Sequence, residues 1–214
     1  MLQLYKIKIV YFSILIMCLY TILCLIYNYV FLSETLFLQW FEGVMTQEQI
    51  LSTISFFKKW EWGSILINIL IIFIKITYVA SCIFLGLFFY FEQHDAFKIS
   101  FNIALKAEIV FVFYLIVRII WFGVINIPES LEAIQVWPLS LMSFFDPNTT
   151  DQWLIYPLNT LNIFEVLYML MLSALLATAI KIKFRKAFDL VFVSYSAGIL
   201  LLIVAQMFFI LNNS

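Results

Sequence analysis

Residues 9–33 make 25 consecutive positions without a charged side chain. A helix of about 20 apolar residues crosses the roughly 30 Å of bilayer hydrocarbon. Only helices and closed barrels satisfy their backbone hydrogen bonds there, and a continuous rather than alternating apolar run selects the helix. The same reasoning predicts further spans near 64–91, 108–127, 157–180 and 188–211, after a first near 8–31. The fold class is therefore an all-α polytopic transmembrane bundle of five spans, one membrane domain over residues 1–214, with long connections at 33–62 and 128–156. Composition agrees: 65% of residues are hydrophobic and 12% charged, against about 45–50% and 25% in soluble domains. The first run has no small-residue cleavage element, so it reads as a retained span and not a signal peptide.

Orientation follows from the basic residues, which collect on the cytoplasmic side of membranes. With the amino terminus inside and the carboxyl terminus outside, Lys6, Lys8, Lys98, Lys106, Lys181, Lys183, Arg185 and Lys186 are cytoplasmic, eight of the twelve basic residues. Only Lys58 and Lys59 are then external. The expected location is a bacterial cytoplasmic (inner) membrane. A net charge of −1 leaves no basic excess to release counterions from a nucleic acid, so none is expected as a partner.

The first external connection is too apolar for a solvated loop and reads as lying on the membrane. Thr46 and Gln49 stand at capping-box spacing, and Ile50, Ile54 and Phe57 recur as one face of a short helix. Trp40, Trp60 and Trp62 suit the outer interface. The second connection holds Pro128, Pro138 and Pro147, with Pro157 at the next span's start, which excludes a long helix. Residues 146–151, with Asp146, Asn148 and Asp151, read as a polar turn and not a calcium loop. On the inner side, 92–107 suggests an interfacial segment leading into the third span. Lys181, Lys183, Arg185 and Lys186 form a basic turn suited to contact with anionic lipid.

Three charges fall inside expected spans: Lys75, Arg118 and Glu165. Each costs about 2.5–3.5 kcal/mol at a helix centre, so partners are required. The rise per residue puts all three near one depth, which allows a Glu165–Arg118 pair with Lys75 nearby. Asn162, Glu165 and Tyr168 recur at intervals of three, and Asn68 shares a face with Lys75. These six residues form the expected intramembrane polar cluster, either a packing clamp or a substrate or ion path. Tyr114 and Trp121 flank Arg118 as cation–π candidates. Ser173 with Ala177, and Ser194 with Gly198, have the small-residue spacing of close helix contacts.

Chemistry for catalysis is sparse. The single histidine, His94, excludes multi-histidine metal sites, and five glycines supply no phosphate loop. Cys18, Cys24 and Cys82 lie in apolar runs without a Cys-x-x-Cys and read as buried small hydrophobes. No catalytic residue, cofactor or metal is expected, and the chain is read as not an enzyme.

The carboxyl-terminal half, roughly 97–210, carries a recognisable order: FKISFNIALKAEIVFVFYL at 97–115, SLMSFFD at 140–146, LNTLNIFEVLYMLMLSALLA at 158–177, and a basic turn entering KAFDLVFVSYSAGILLL at 186–202. This resembles the Yip-like integral membrane domain family. The resemblance implies an accessory or membrane-organising role without a defined active site, with lipids and other membrane proteins or a second copy as partners. The competing expectation is a small transporter or channel subunit whose path the intramembrane charges line.

Overall fold

A computed structural model describes residues 2–31, 38, 41, 45–91, 96–125 and 131–213. Every regular element in them is helical: α1 (Leu2–Phe31), α2 (Gln47–Lys59), α3 (Glu61–Phe91), α4 (Ala96–Ala107), α5 (Ile109–Ile120), α6 (Leu131–Gln135), α7 (Gln152–Thr160), α8 (Ile163–Ile180) and α9 (Phe184–Asn213). Among the described residues, four helical stretches are long and apolar enough to cross a membrane: Trp62–Tyr90, Ala96–Ile125, Ile163–Ile180 and Phe184–Asn212. The expected first span falls in α1, whose described apolar stretch is Ile14–Tyr27. The protein is thus an all-α polytopic helix bundle.

The third and fourth spans begin elsewhere than expected. The expected third span lies within a longer helical stretch, and the segment expected to lead into it is helical from Ala96. The stretch continues from there because no Pro or Gly interrupts the chain before Gly123. At Glu108, between α4 and α5, the helix only tightens: the Glu108 carbonyl accepts from both Phe111 N–H at 3.0 Å and Val112 N–H at 3.1 Å. A π-helical turn, Trp121–Ile125, ends this span. The fourth starts at Ile163 and not at 157. Pro157 lies inside α7, which stops at Thr160. The chain then pairs briefly in an antiparallel bridge between Ser140 and Asn162, with Leu141 N–H donating to the Leu161 carbonyl at 2.9 Å. Leu139, beside the bridge, adopts φ 59°, a left-handed conformation rare for a branched side chain.

Lipid tails are as apolar as leucine, so burying apolar surface drives helix association weakly in a bilayer, and close backbone approach matters more. Only 28–33% of the residues in each span's most apolar window are buried inside the protein. Phe73, Ile74, Leu200, Leu201 and Phe208 instead point outward. Contact is made through small residues. Gly86 of α3 meets Leu190 and Ser194 of α9, and Gly198 meets Cys82 so closely that an added methyl would stand 2.5 Å from its sulfur. The Tyr78 hydroxyl locks this crossing by donating to the Gly198 carbonyl at 2.8 Å. The expected contact role of Ser194 and Gly198 is realised here, and Ser173 is fully buried.

The surface helix α2 forms with both halves of its capping box in place: Gln49 N–H donates to the Thr46 hydroxyl, and Thr46 N–H to the Gln49 side chain at 3.0 Å. Ile50 and Ile54 are buried as expected, but Phe57 is exposed beside Phe56. Trp60 stacks on Trp62 at 5.6 Å, and both are exposed at the start of α3. Trp40 and His94 lie outside the described residues. In the second connection the Asp146 carboxylate accepts from Asn148 N–H at 2.9 Å, an Asx turn of the expected kind.

Candidate functional site

Three of the spans meet at a charged centre. Lys75 of α3 reaches Glu108, where its ammonium lies 3.0 Å from one carboxylate oxygen. Tyr168 of α8 donates its hydroxyl to the other oxygen at 3.0 Å. Glu108 has no exposed surface at all. The Lys75 ammonium also stands 3.2 Å from the centre of the Phe111 ring and 5.2 Å from that of Tyr168. These aromatic faces add cation–π attraction to the ion pair. Glu108 is placed by the helix that continues through it, one turn before Phe111, so carboxylate and ring approach Lys75 from one face.

A second carboxylate lies on the neighbouring face of α8. Glu165 accepts a hydrogen bond from the Tyr195 hydroxyl of α9. The Tyr168 and Tyr195 rings are 5.6 Å apart, so the two acid–phenol pairs share an aromatic wall. The span formed by α9 is thereby tied to α8 and, through Tyr168, to the charged centre. Glu165 also lines a cavity of about 590 Å³ between α8, α9 and the Leu139–Phe144 segment, whose walls include Val166, Met169, Phe192 and Ile199.

The expected Glu165–Arg118 pair is not formed. Arg118 lies nearer the tryptophan-bearing end of the bundle, where its Nη2 donates to the Ile134 carbonyl of α6 at 3.1 Å. Its guanidinium packs over Tyr27 of α1 at 4.8 Å and Phe122 at 5.8 Å, and not over Tyr114 or Trp121. Its Nε and the buried Tyr114 hydroxyl have no hydrogen-bond partner among the described residues. Tyr114 instead packs edge-on against Phe164 at 5.1 Å. Arg118 thus joins α1 and α6 to the third span, while Lys75 takes the acid.

Two further members of the expected cluster stand apart from it. Asn68, seven residues before Lys75, is half-buried and makes no hydrogen bond to the charged centre. Asn162 is the N-cap of α8: its side chain accepts from Glu165 N–H at 2.8 Å, as the first turn of a helix requires. It works beside Asn159, which accepts from Trp137 N–H at 2.8 Å and donates to the Gln135 carbonyl at 2.9 Å. These two amides fasten the proline-rich connection to the head of α8.

At the opposite end, Lys181, Lys183, Arg185 and Lys186 are all exposed. Lys181 ends α8 in the left-handed conformation (φ 57°), and Ile182 N–H closes the cap on the Ala177 carbonyl at 3.1 Å. Of the cysteines, only Cys82 is buried; Cys24 is half-buried and Cys18 exposed, since α1 turns that face outward. No family model, curated protein or solved structure matches the chain.

Glu108 and Tyr195 are the members that the sequence reading passed over. Placing the start of the third span at 108 put Glu108 at a boundary. The uninterrupted stretch back to Ala96 was the signal that it lies mid-helix. Tyr195 carried no comparable mark, because a tyrosine in a span differs from its many aromatic neighbours only by a hydroxyl.

Proposed function

We propose that this chain is a non-enzymatic, multispan accessory or membrane-organising protein of the Yip-like kind, acting through contacts with lipids and partner membrane helices. The observation that carries the reading is the placement of Glu108: the group is buried and each carboxylate oxygen has a partner from another span, Lys75 on one side and Tyr168 on the other. A group held this way fixes which faces of three spans meet, because one carboxylate ties α3 and α8 to the helix that carries it. The order of span, apolar turn, span, basic turn and final span supports the family resemblance. The concentration of lysines at one end supports a cytoplasmic amino terminus in a bacterial inner membrane, with the basic turn against anionic headgroups.

A second reading, a small transporter or channel subunit, draws on Glu165, an acid within the spans that also borders a cavity. Abundance and flux separate the two. Replacing Glu108 by Leu removes the partner of Lys75, whose side chain is one-third exposed, so the loss lies below the roughly 3–5 kcal/mol of a fully buried pair. The double variant Lys75→Met/Glu108→Leu removes both charges and recovers much of the yield if the pair is a clamp. Glu165→Gln then leaves no flux to lose. Full accumulation of Glu165→Gln together with loss of a measurable cation flux in proteoliposomes would overturn the accessory reading in favour of transport.

A further inference from the structure

A second polar groove lies between α4 and α8, away from the charged centre. It encloses about 360 Å³, and Lys98, Asn102 and Lys106 stand along one wall with Leu175 and Thr178 on the other. The spacing of four residues puts all three polar side chains of α4 on one helical face. Neither lysine has a carboxylate within ion-pair distance among the described residues, in contrast to Lys75. Lys98 is exposed at the basic end of the bundle, while Lys106 is half-buried eight residues further along, about 12 Å deeper. Side chains on a helix lean toward its N-terminus, so Lys98 and Lys106 both lean toward the basic end of the groove. The Thr178 hydroxyl is already committed to the Leu175 carbonyl at 2.9 Å, which leaves the two ammonium groups and the Asn102 amide as the donors. Ile99, Ile103 and Leu175 complete the lining with apolar surface.

Two cations without an ion-pair partner among the described residues, and an amide donor, over apolar walls match one chemistry: an anionic phosphate with hydrocarbon attached. We propose that this groove binds the headgroup phosphate of an anionic phospholipid, with Lys98, Asn102 and Lys106 as its donors and the acyl chains lying against Ile103 and Leu175. The depth of Lys106 favours a lipid over a soluble phosphate, because a free ion would have to leave water to reach it. The exposed basic turn at Lys181–Lys186 lies two residues beyond Ala179 of the same groove and concentrates such lipids at its mouth. The site deepens the accessory reading by naming a lipid class and rests on its lipid-contact clause; the clamp is tested by abundance and stands or falls separately.

The test uses the full chain in vesicles of phosphatidylcholine with a minor fraction of photoactivatable phosphatidylglycerol carrying its reactive group near the phosphate. Cross-links are expected in the peptide 96–107, and they should persist when Lys181, Lys183, Arg185 and Lys186 are all changed to Gln. Lys98→Gln/Lys106→Gln should lower the preference for phosphatidylglycerol over phosphatidylcholine by about fivefold per lysine, while Lys98→Arg/Lys106→Arg keeps it. Mapping on the unaltered chain keeps the experiment decisive even if the glutamine pair folds poorly. Cross-links confined to peptides outside both 96–107 and 175–179 overturn the proposal, as does an undiminished preference in a folded Lys98→Gln/Lys106→Gln chain. Displacement of the lipid by inorganic phosphate at matched concentration would reassign the groove to a free anion.

Discussion

The crossing of α3 and α9 is set by a single hydrogen atom's worth of space at Gly198. A methyl group there would stand 2.5 Å from the Cys82 sulfur, with the Tyr78 hydroxyl at 3.4 Å. Non-bonded heavy atoms rest at about 3.5–4.0 Å, so the two helices must separate by roughly 1 Å or rotate. Rotation would disrupt the bond from Tyr78 to the Gly198 carbonyl. Overpacking of this kind costs about 1–3 kcal/mol. For a chain of this length that corresponds to a fall in midpoint of about 2–12 °C. The assay is thermal unfolding of Gly198→Ala in mild detergent, followed by loss of the monodisperse peak on size exclusion. Cys82→Ala removes the obstructing sulfur, so the double variant should regain most of the loss. Gly63→Ala is the control, since its added methyl meets only the Trp60 ring edge at 3.4 Å. A Gly198→Ala chain that melts with the parent, or one that Cys82→Ala does not rescue, refutes the close approach of these spans.

Asn159→Leu strands the Trp137 N–H and the Gln135 carbonyl, each worth about 1–3 kcal/mol when left unsatisfied. It should therefore destabilise more than Asn162→Ala, which removes an N-cap worth about 1 kcal/mol; equal midpoints would contradict this order. Lys181→Gly relieves a left-handed lysine and should raise the midpoint, by an amount on the order of 1 kcal/mol; a lower midpoint would refute the strain. Lys183→Cys, in a chain without its native cysteines, should resist impermeant thiol reagents in intact cells and react once the membrane is opened. Labelling before lysis would reverse the proposed orientation.

Much of the molecule was readable from local chemistry. The capping box of Thr46 and Gln49, the Asx turn at Asp146 and the small-residue contact at Gly198 formed where spacing put them. Each of these depends on residues close in sequence, or on one face of one helix. The charged centre was half legible: Lys75, Glu165 and Tyr168 belong to it, whereas Asn162 became a cap and Arg118 took the Ile134 carbonyl. Depth along a helix follows from counting residues, but the pairing of charges also needs the rotation of each helix about its axis. Nothing in a single span specifies that angle.

By itself the sequence determined that the chain forms apolar helices of membrane-crossing length, because a backbone in hydrocarbon has no other partner for its hydrogen bonds. It also determined that charges buried in those helices must find company. The tertiary structure alone decided which company. Gly86 and Gly198 bring α3 and α9 together, the uninterrupted helix through Glu108 carries that carboxylate to Lys75 and Tyr168, and Arg118 is left to a backbone carbonyl. Packing at small residues sets the helix rotations, and the rotations choose the ion pair.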